Sequence, residues 1–146
     1  MTDWLFHLLT QDQWLALTGS RSIAAQTPII DRPHFHHHKT SLPPYAPPSL
    51  AQEGFIHLST RSQVCGVADR FYRNQGTLIL LAIDPQQLQG EIRWEAPAHP
   101  DGSPPEANAP RFPHLYGSLN WDAVIEVYDL PQHGSQFTLP PALLCL

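Results

Sequence analysis

The chain has 146 residues, 42 % of them apolar and 14 % charged, which is enough for the core of one domain and too few charges for a disordered chain. Thirteen acidic against eight basic side chains give a net charge of −5, the wrong sign for a general nucleic-acid coat or an anionic-membrane binder. Seven of the eight basic residues are arginines, which leans toward a few specific anion contacts.

A single domain over residues 1–146 is expected. The apolar run Trp4–Leu9 predicts a strand buried on both faces. No basic leader precedes it, and no apolar stretch approaches the roughly 20 residues of a membrane span, so a cytoplasmic protein is expected. Thr10 and Gln13 form a capping box that starts a helix, with Gly19 as its stop. Residues 21–53 hold six prolines and the run His34-Phe35-His36-His37-His38. They predict an irregular surface insertion of about 21–50 with polyproline II character.

Regular structure returns with a five-residue strand, Gly54–Leu58. Thr60 and Gln63 repeat the capping box, and Val64, Val67, Ala68 and Phe71 make one buried helical stripe. Arg70 and Arg73 fall in its last turns, where they complement the helix dipole, and Gly76 closes it. Cys65 sits on this helix and Cys145 near the C-terminus, which suits neither a disulfide scaffold nor a metal-ligand spacing. Thr77–Ile83 reads as a central strand, and Asp84-Pro85 as a turn leading into one helical turn through Leu88. From Glu91 to Ala96 the chain alternates, with Ile92, Trp94 and Ala96 on one face and Glu91, Arg93 and Glu95 on the other. A second proline-rich loop, 97–111, leads to Phe112–Gly117, then to a last strand, Asp122–Leu130, and a loosely packed tail from 131 to 146. The order of elements predicts a small α+β domain with two main helices packed against a mostly antiparallel sheet.

Three pieces carry polar side chains opposite aliphatic ones. In the strand at Gly54, Ile56 and Leu58 claim the core, which turns His57 and Ser59 the other way, just before a helix N-terminus suited to a phosphate or a ribose hydroxyl. The plainer reading has Ser59 capping the helix and His57 bonded to a backbone carbonyl. The Glu91-Arg93-Glu95 face either meets solvent or lines a wet cleft, in which Arg93 clamps an anion and Glu95 accepts from a sugar hydroxyl. His114 and Tyr116 share a face if their segment is extended, offering an imidazole and a phenol for stacking or proton handling, or else a turn with Tyr116 bonded across it. The histidine run suits Zn, Ni or Cu but has no complete ligand set beside it, so no resident metal is expected. His7, taken alone, is a core histidine with satisfied bonds.

Taken in order, Glu53–Thr60 (EGFIHLST), Val67–Tyr72 (VADRFY), Leu78–Asp84 (LILLAID), Ile92–Glu95 (IRWE), Phe112–Gly117 (FPHLYG) and Asp122–Val124 resemble the motifs of the small bacterial proteins called domain of unknown function 952. That family is similar to the ADP-ribosyltransferase fold, and Phe55–Ser59 also looks like a strand motif of the NAD-using RNA 2′-phosphotransferases. The resemblance implies a split, bent sheet and a dinucleotide-sized cleft that brings His57, Ser59, Arg93, Glu95, His114 and Tyr116 together. It also places His7 where such transferases carry a ribose-binding histidine. The implied function is binding of a nucleotide or other phosphorylated small molecule, with NAD as cofactor, and transfer of ADP-ribose. Glu95, His57 and His114 are then the catalytic candidates, and His7, Ser59, Arg93 and Tyr116 the ligand-binding ones. A non-catalytic ligand- or peptide-binding module and a metal protein built on the histidine run stay open as alternatives, as does the oligomeric state.

Overall fold

Two three-stranded antiparallel sheets meet at one pair of backbone hydrogen bonds, from Phe6 N–H to the Ser59 carbonyl and back, both 2.8 Å. The computed structural model describes residues 3–18, 42–96, 101–130, 132–134, 136–140 and 143. The first sheet has the order β1 (Leu5–Thr10), β3 (Leu78–Ile83), β6 (Val124–Leu130), and the second β2 (Ile56–His57), β5 (Phe112–Tyr116), β4 (Glu91–Glu95). Helix α1 (Gln11–Thr18) follows β1, α2 (Pro48–Glu53) precedes β2, and α3 (Arg61–Phe71) joins β2 to β3. A short hairpin, β7 (Gln132–His133) with β8 (Gln136–Phe137), ends the order. The architecture is α+β, as expected.

β3 is the centre, and every residue in it is buried. Period 2 sends Ile79, Leu81 and Ile83 into one core and Leu78, Leu80 and Ala82 into another on the opposite face. The first core fills the space toward the second sheet, where Ile56 and Leu115 join it and Ile92 packs against it. The second core lies under α3, through Val64 and Ala68. Both predicted capping boxes start helices. Thr10 N–H donates to Gln13 Oε1 (2.9 Å) and Gln13 N–H to Thr10 Oγ1 (3.2 Å), and Thr60 N–H donates to Gln63 Oε1 (3.0 Å).

Several expectations change. The first strand begins one residue later, at Leu5, and the strand expected over Gly54–Leu58 is reduced to Ile56–His57, because Gly54 (φ +91°) is spent as the left-handed C-cap of α2. The insertion is not surface throughout. Tyr45 is buried and exchanges backbone bonds with Leu119, and Pro48–Glu53 is helical, with proline at the position where a missing N–H costs nothing. Phe71 is 64 % exposed, since α3 ends there and Tyr72 packs against the second core beyond it. The last strand begins at Val124, after a 3-10 turn over Trp121–Ala123. The described part of the tail does not pack loosely: Phe137 and Leu143 are buried in the second core, the Phe137 N–H donates to Asp69 Oδ1 (2.7 Å), and Arg61 donates to the Leu143 carbonyl. Gly19, the histidine run 34–38 and Cys145 lie outside the described residues. Among those described, no helix is long and apolar enough to cross a membrane.

Candidate functional site

Register decides what the second sheet displays. His57 pairs with His114 and His114 with Arg93, so these three form one row across β2, β5 and β4. One pair along, Ile56, Leu115 and Ile92 form the row that faces the core. Neighbouring strands are about 4.8 Å apart, so the imidazole at one end of the polar row and the guanidinium at the other start roughly 10 Å apart at the backbone. Tyr116 and Glu95 lie two residues from His114 and Arg93 along their strands, on the same face.

Glu95 is the hub. Its Oε1 accepts the Tyr116 hydroxyl at 2.6 Å and His114 Nδ1–H at 2.9 Å. These two bonds, the tyrosine's first, hold the carboxyl below the usual carboxylate range and push the phenol up. Arg93 lies over the Tyr116 ring, 4.4 Å from its centroid, and donates to Glu91 Oε1 at 3.2 Å; that bond raises the arginine further. His57 reaches back past the Gly54 cap to Glu53, the last residue of α2, 2.8 Å from Nε2 to Oε2, with both side chains about half exposed.

Phe55 stacks on His114 at 4.0 Å between centroids and an interplanar angle of 14°, and sits within 5.3 Å of Tyr116. His114 is therefore covered, with its side chain 4 % exposed, while its ring meets that of His57 edge-on at 5.4 Å. With Nδ1 donating to Glu95, the imidazole orients the carboxylate, while Phe55 covers one face of its ring. The loop before β5 is tied down by Gln63, which donates to the Arg111 carbonyl at 2.8 Å.

The structure thus brings His57, Arg93, Glu95, His114 and Tyr116 to one face. His7 and Ser59 lie beneath it, buried at the seam between the sheets. His7 Nδ1–H donates to the His57 carbonyl (2.8 Å), so Nε2 is left to accept the Tyr45 hydroxyl (3.0 Å). Burial pushes this imidazole down to about 4, against the raising effect of the carbonyl bond, and it is neutral at pH 7.

Glu53 and Phe55 complete the site and were missed from sequence as site residues. Their signals were available: Glu53 precedes His57 by four residues, and Phe55 shares its parity. On the other side of β4, between it, β1 and the start of α3, is a cleft of about 730 Å3 lined by Trp4, Phe6, Arg61, Ile92 and the 47 % exposed Trp94; none of the seven predicted site residues is in its lining. Among the described residues no group of three or more His, Cys, Asp or Glu side chains is placed to hold a metal ion.

The family model described as "Protein of unknown function (DUF952)" matches residues 8–127. The crystal structure of protein CC0527 from Caulobacter crescentus is 26 % identical over 98 % of this chain and 99 % of that one, with a TM-score of 0.61. A double mutant of CC0527 gives 25 % identity, the same coverage and a TM-score of 0.61. Its solution structure gives 24 %, coverage of 98 % and 96 %, and a TM-score of 0.58. No curated protein matches.

Proposed function

The chain belongs to the DUF952 family of proteins of unknown function, and from that premise we propose that the open face of β2, β5 and β4 binds a nucleotide through its ribose and phosphate. One observation carries the reading: a carboxylate whose Oε1 is held by two donors stands in the same patch as an arginine and a half-exposed histidine. Glu95 Oε2 is then a fixed, ionised acceptor for a ribose hydroxyl. Arg93, stacked on Tyr116, keeps N–H groups for a phosphate oxygen, and His57 supplies another donor at the far end of the row. Phe55 offers the edge of an aromatic ring to a base.

NAD is the first such ligand to test, because the division into two sheets joined at Phe6 and Ser59 supports an ADP-ribosyltransferase-like fold. In ADP-ribose transfer the nicotinamide–ribose bond loosens toward an oxocarbenium ion, and the ionised Glu95 is the group here that stabilises positive charge on the ribose. His7, enclosed by Tyr45 and the His57 carbonyl, acts on this site through the backbone of β2.

Isothermal calorimetry with NAD, ADP-ribose and nucleoside monophosphates tests the binding. Saturable heat that Glu95→Gln and Arg93→Ala diminish supports it, and no heat at millimolar ligand overturns it. Release of nicotinamide from NAD separates transfer from binding alone.

A further inference from the structure

Nucleotide binding leaves unexplained why this face carries two separately carboxylate-held histidines together with a tyrosine-held glutamate. His57 is backed by Glu53 at 2.8 Å and His114 by Glu95 at 2.9 Å, and the two rings are 5.4 Å apart. Their exposures differ and so must their uses. His114 is covered by Phe55 and serves to fix Glu95, whereas His57 is half exposed and can meet a ligand atom directly. That leaves two groups able to exchange protons with a ligand, Glu95 through Oε2 and His57 through its ring, with Arg93 completing the row. A base, an acid and a fixed cation on one open face match the needs of a phosphodiester that is attacked by a hydroxyl on its own sugar.

We infer that the site cleaves short ribonucleotide phosphodiesters by internal transesterification, Glu95 acting as general base, His57 as general acid and Arg93 as the anion holder. Glu95 takes the proton of the 2′-hydroxyl, and O2′ attacks phosphorus to form the O2′–P bond. The P–O5′ bond breaks, and the imidazolium of His57 gives its proton to the departing O5′. The products are a 2′,3′-cyclic phosphate and a free 5′-hydroxyl; Glu95 ends protonated and His57 neutral, and exchange with water restores both. No metal, oxidant or second substrate enters the balance. His114 and Tyr116 are positioning residues, because both bond the one carboxylate oxygen and so aim the other. The net charge of −5 is unfavourable for long polyanions and fits a substrate of a few nucleotides.

The inference rests on the nucleotide reading above and is independent of ADP-ribose transfer. The test incubates the full chain with the ribodinucleotide uridylyl-adenosine and with its 2′-deoxy counterpart, follows products by chromatography, and in parallel titrates uridine 3′-monophosphate by calorimetry. Cyclic uridine phosphate is expected from the ribo substrate alone, with the rate lowered at least about 100-fold in Glu95→Gln and in His57→Asn. Monophosphate binding without any cyclic product overturns the inference and leaves nucleotide binding standing; the absence of both overturns the two together. Undiminished cleavage in both variants, each shown folded by its thermal transition, also overturns it. If either variant fails to fold, the ribo against deoxy comparison on the unaltered chain decides, since a site without a hydroxyl-directed base does not make a cyclic product.

Discussion

His7 on β1 donates through Nδ1 to the carbonyl of His57 on β2, 2.8 Å away, so a buried neutral imidazole holds the backbone of the half-exposed one. The bond sits beside the backbone bridge from Phe6 to Ser59, where the two sheets meet, and anchors the outer face to the core. Tyr45 closes the other side of the ring, which makes the segment entering α2 part of the same support.

This burial has a pH signature. The folded chain resists protonating His7 until about pH 4, while the unfolded chain does so near 6.5. Between those values the unfolded state holds the extra proton, so the contribution is complete above pH 6.5 and is lost progressively as pH falls to about 4. It amounts to roughly 3 kcal/mol. Urea unfolding of the natural chain and of His7→Leu at several pH values between 7.5 and 4 should give a steeper acid loss for the natural chain. The variant is itself weaker at neutral pH by about 1–3 kcal/mol, because it strands the Tyr45 hydroxyl and the His57 carbonyl. Parallel pH curves would remove the argument.

The Tyr116 hydroxyl is the largest influence lowering Glu95. Tyr116→Phe should therefore move the Glu95 carboxyl titration to higher pH, read by carboxyl carbon chemical shifts across an acid titration. An unchanged midpoint would mean that the 2.6 Å bond does not hold in solution.

Glycine at 90 is needed for space. A Cβ there meets Leu115 Cδ1 at 2.8 Å and the Tyr116 carbonyl oxygen at 3.1 Å. Since the second of these is backbone, Gly90→Ala should cost about 1–3 kcal/mol and displace β5. A thermal scan paired with amide chemical shifts of residues 114–117 reads both effects, and a variant matching the natural chain in both would refute the close approach.

Two large apolar side chains separate the pattern of the sequence from the packing. Leu81→Ala empties a wholly buried place in the middle of β3 and should cost about 2–5 kcal/mol. Phe71→Ala, at a position the helical spacing assigns to the core but which is 64 % exposed, should stay within about 0.5 kcal/mol. Denaturant midpoints of the two variants would need to be similar for this assignment to fail.

Local rules made much of the molecule legible in the chain itself. The capping boxes at Thr10 and Thr60, the unbroken apolar run of β3 and the alternation from Glu91 to Glu95 each depend on contacts within a few residues, and each appears where the residues place it. The same alternation turned Arg93, Glu95 and His57 away from the aliphatic rows, because a strand cannot send neighbouring side chains to the same side. Ser59, assigned to that face by the same rule, lies past the end of β2 and is buried at the seam where its backbone pairs with Phe6.

Elements that depend on distant partners were not legible. Nothing near Tyr45 announces its bond to Leu119, nothing near Phe137 or Leu143 announces the second core, and Gly54 could be read as strand until α2 needed a left-handed cap. The site was split in the same way. Residue types and parity made its members available, but register alone aligned His57, His114 and Arg93 in one row, and the cover of Phe55 alone divided two similar histidines into a buried support and an open donor. Parity is a property of the backbone and can be read from any strand by itself, whereas register and cover come from the packing of segments tens of residues apart, which only the folded chain specifies.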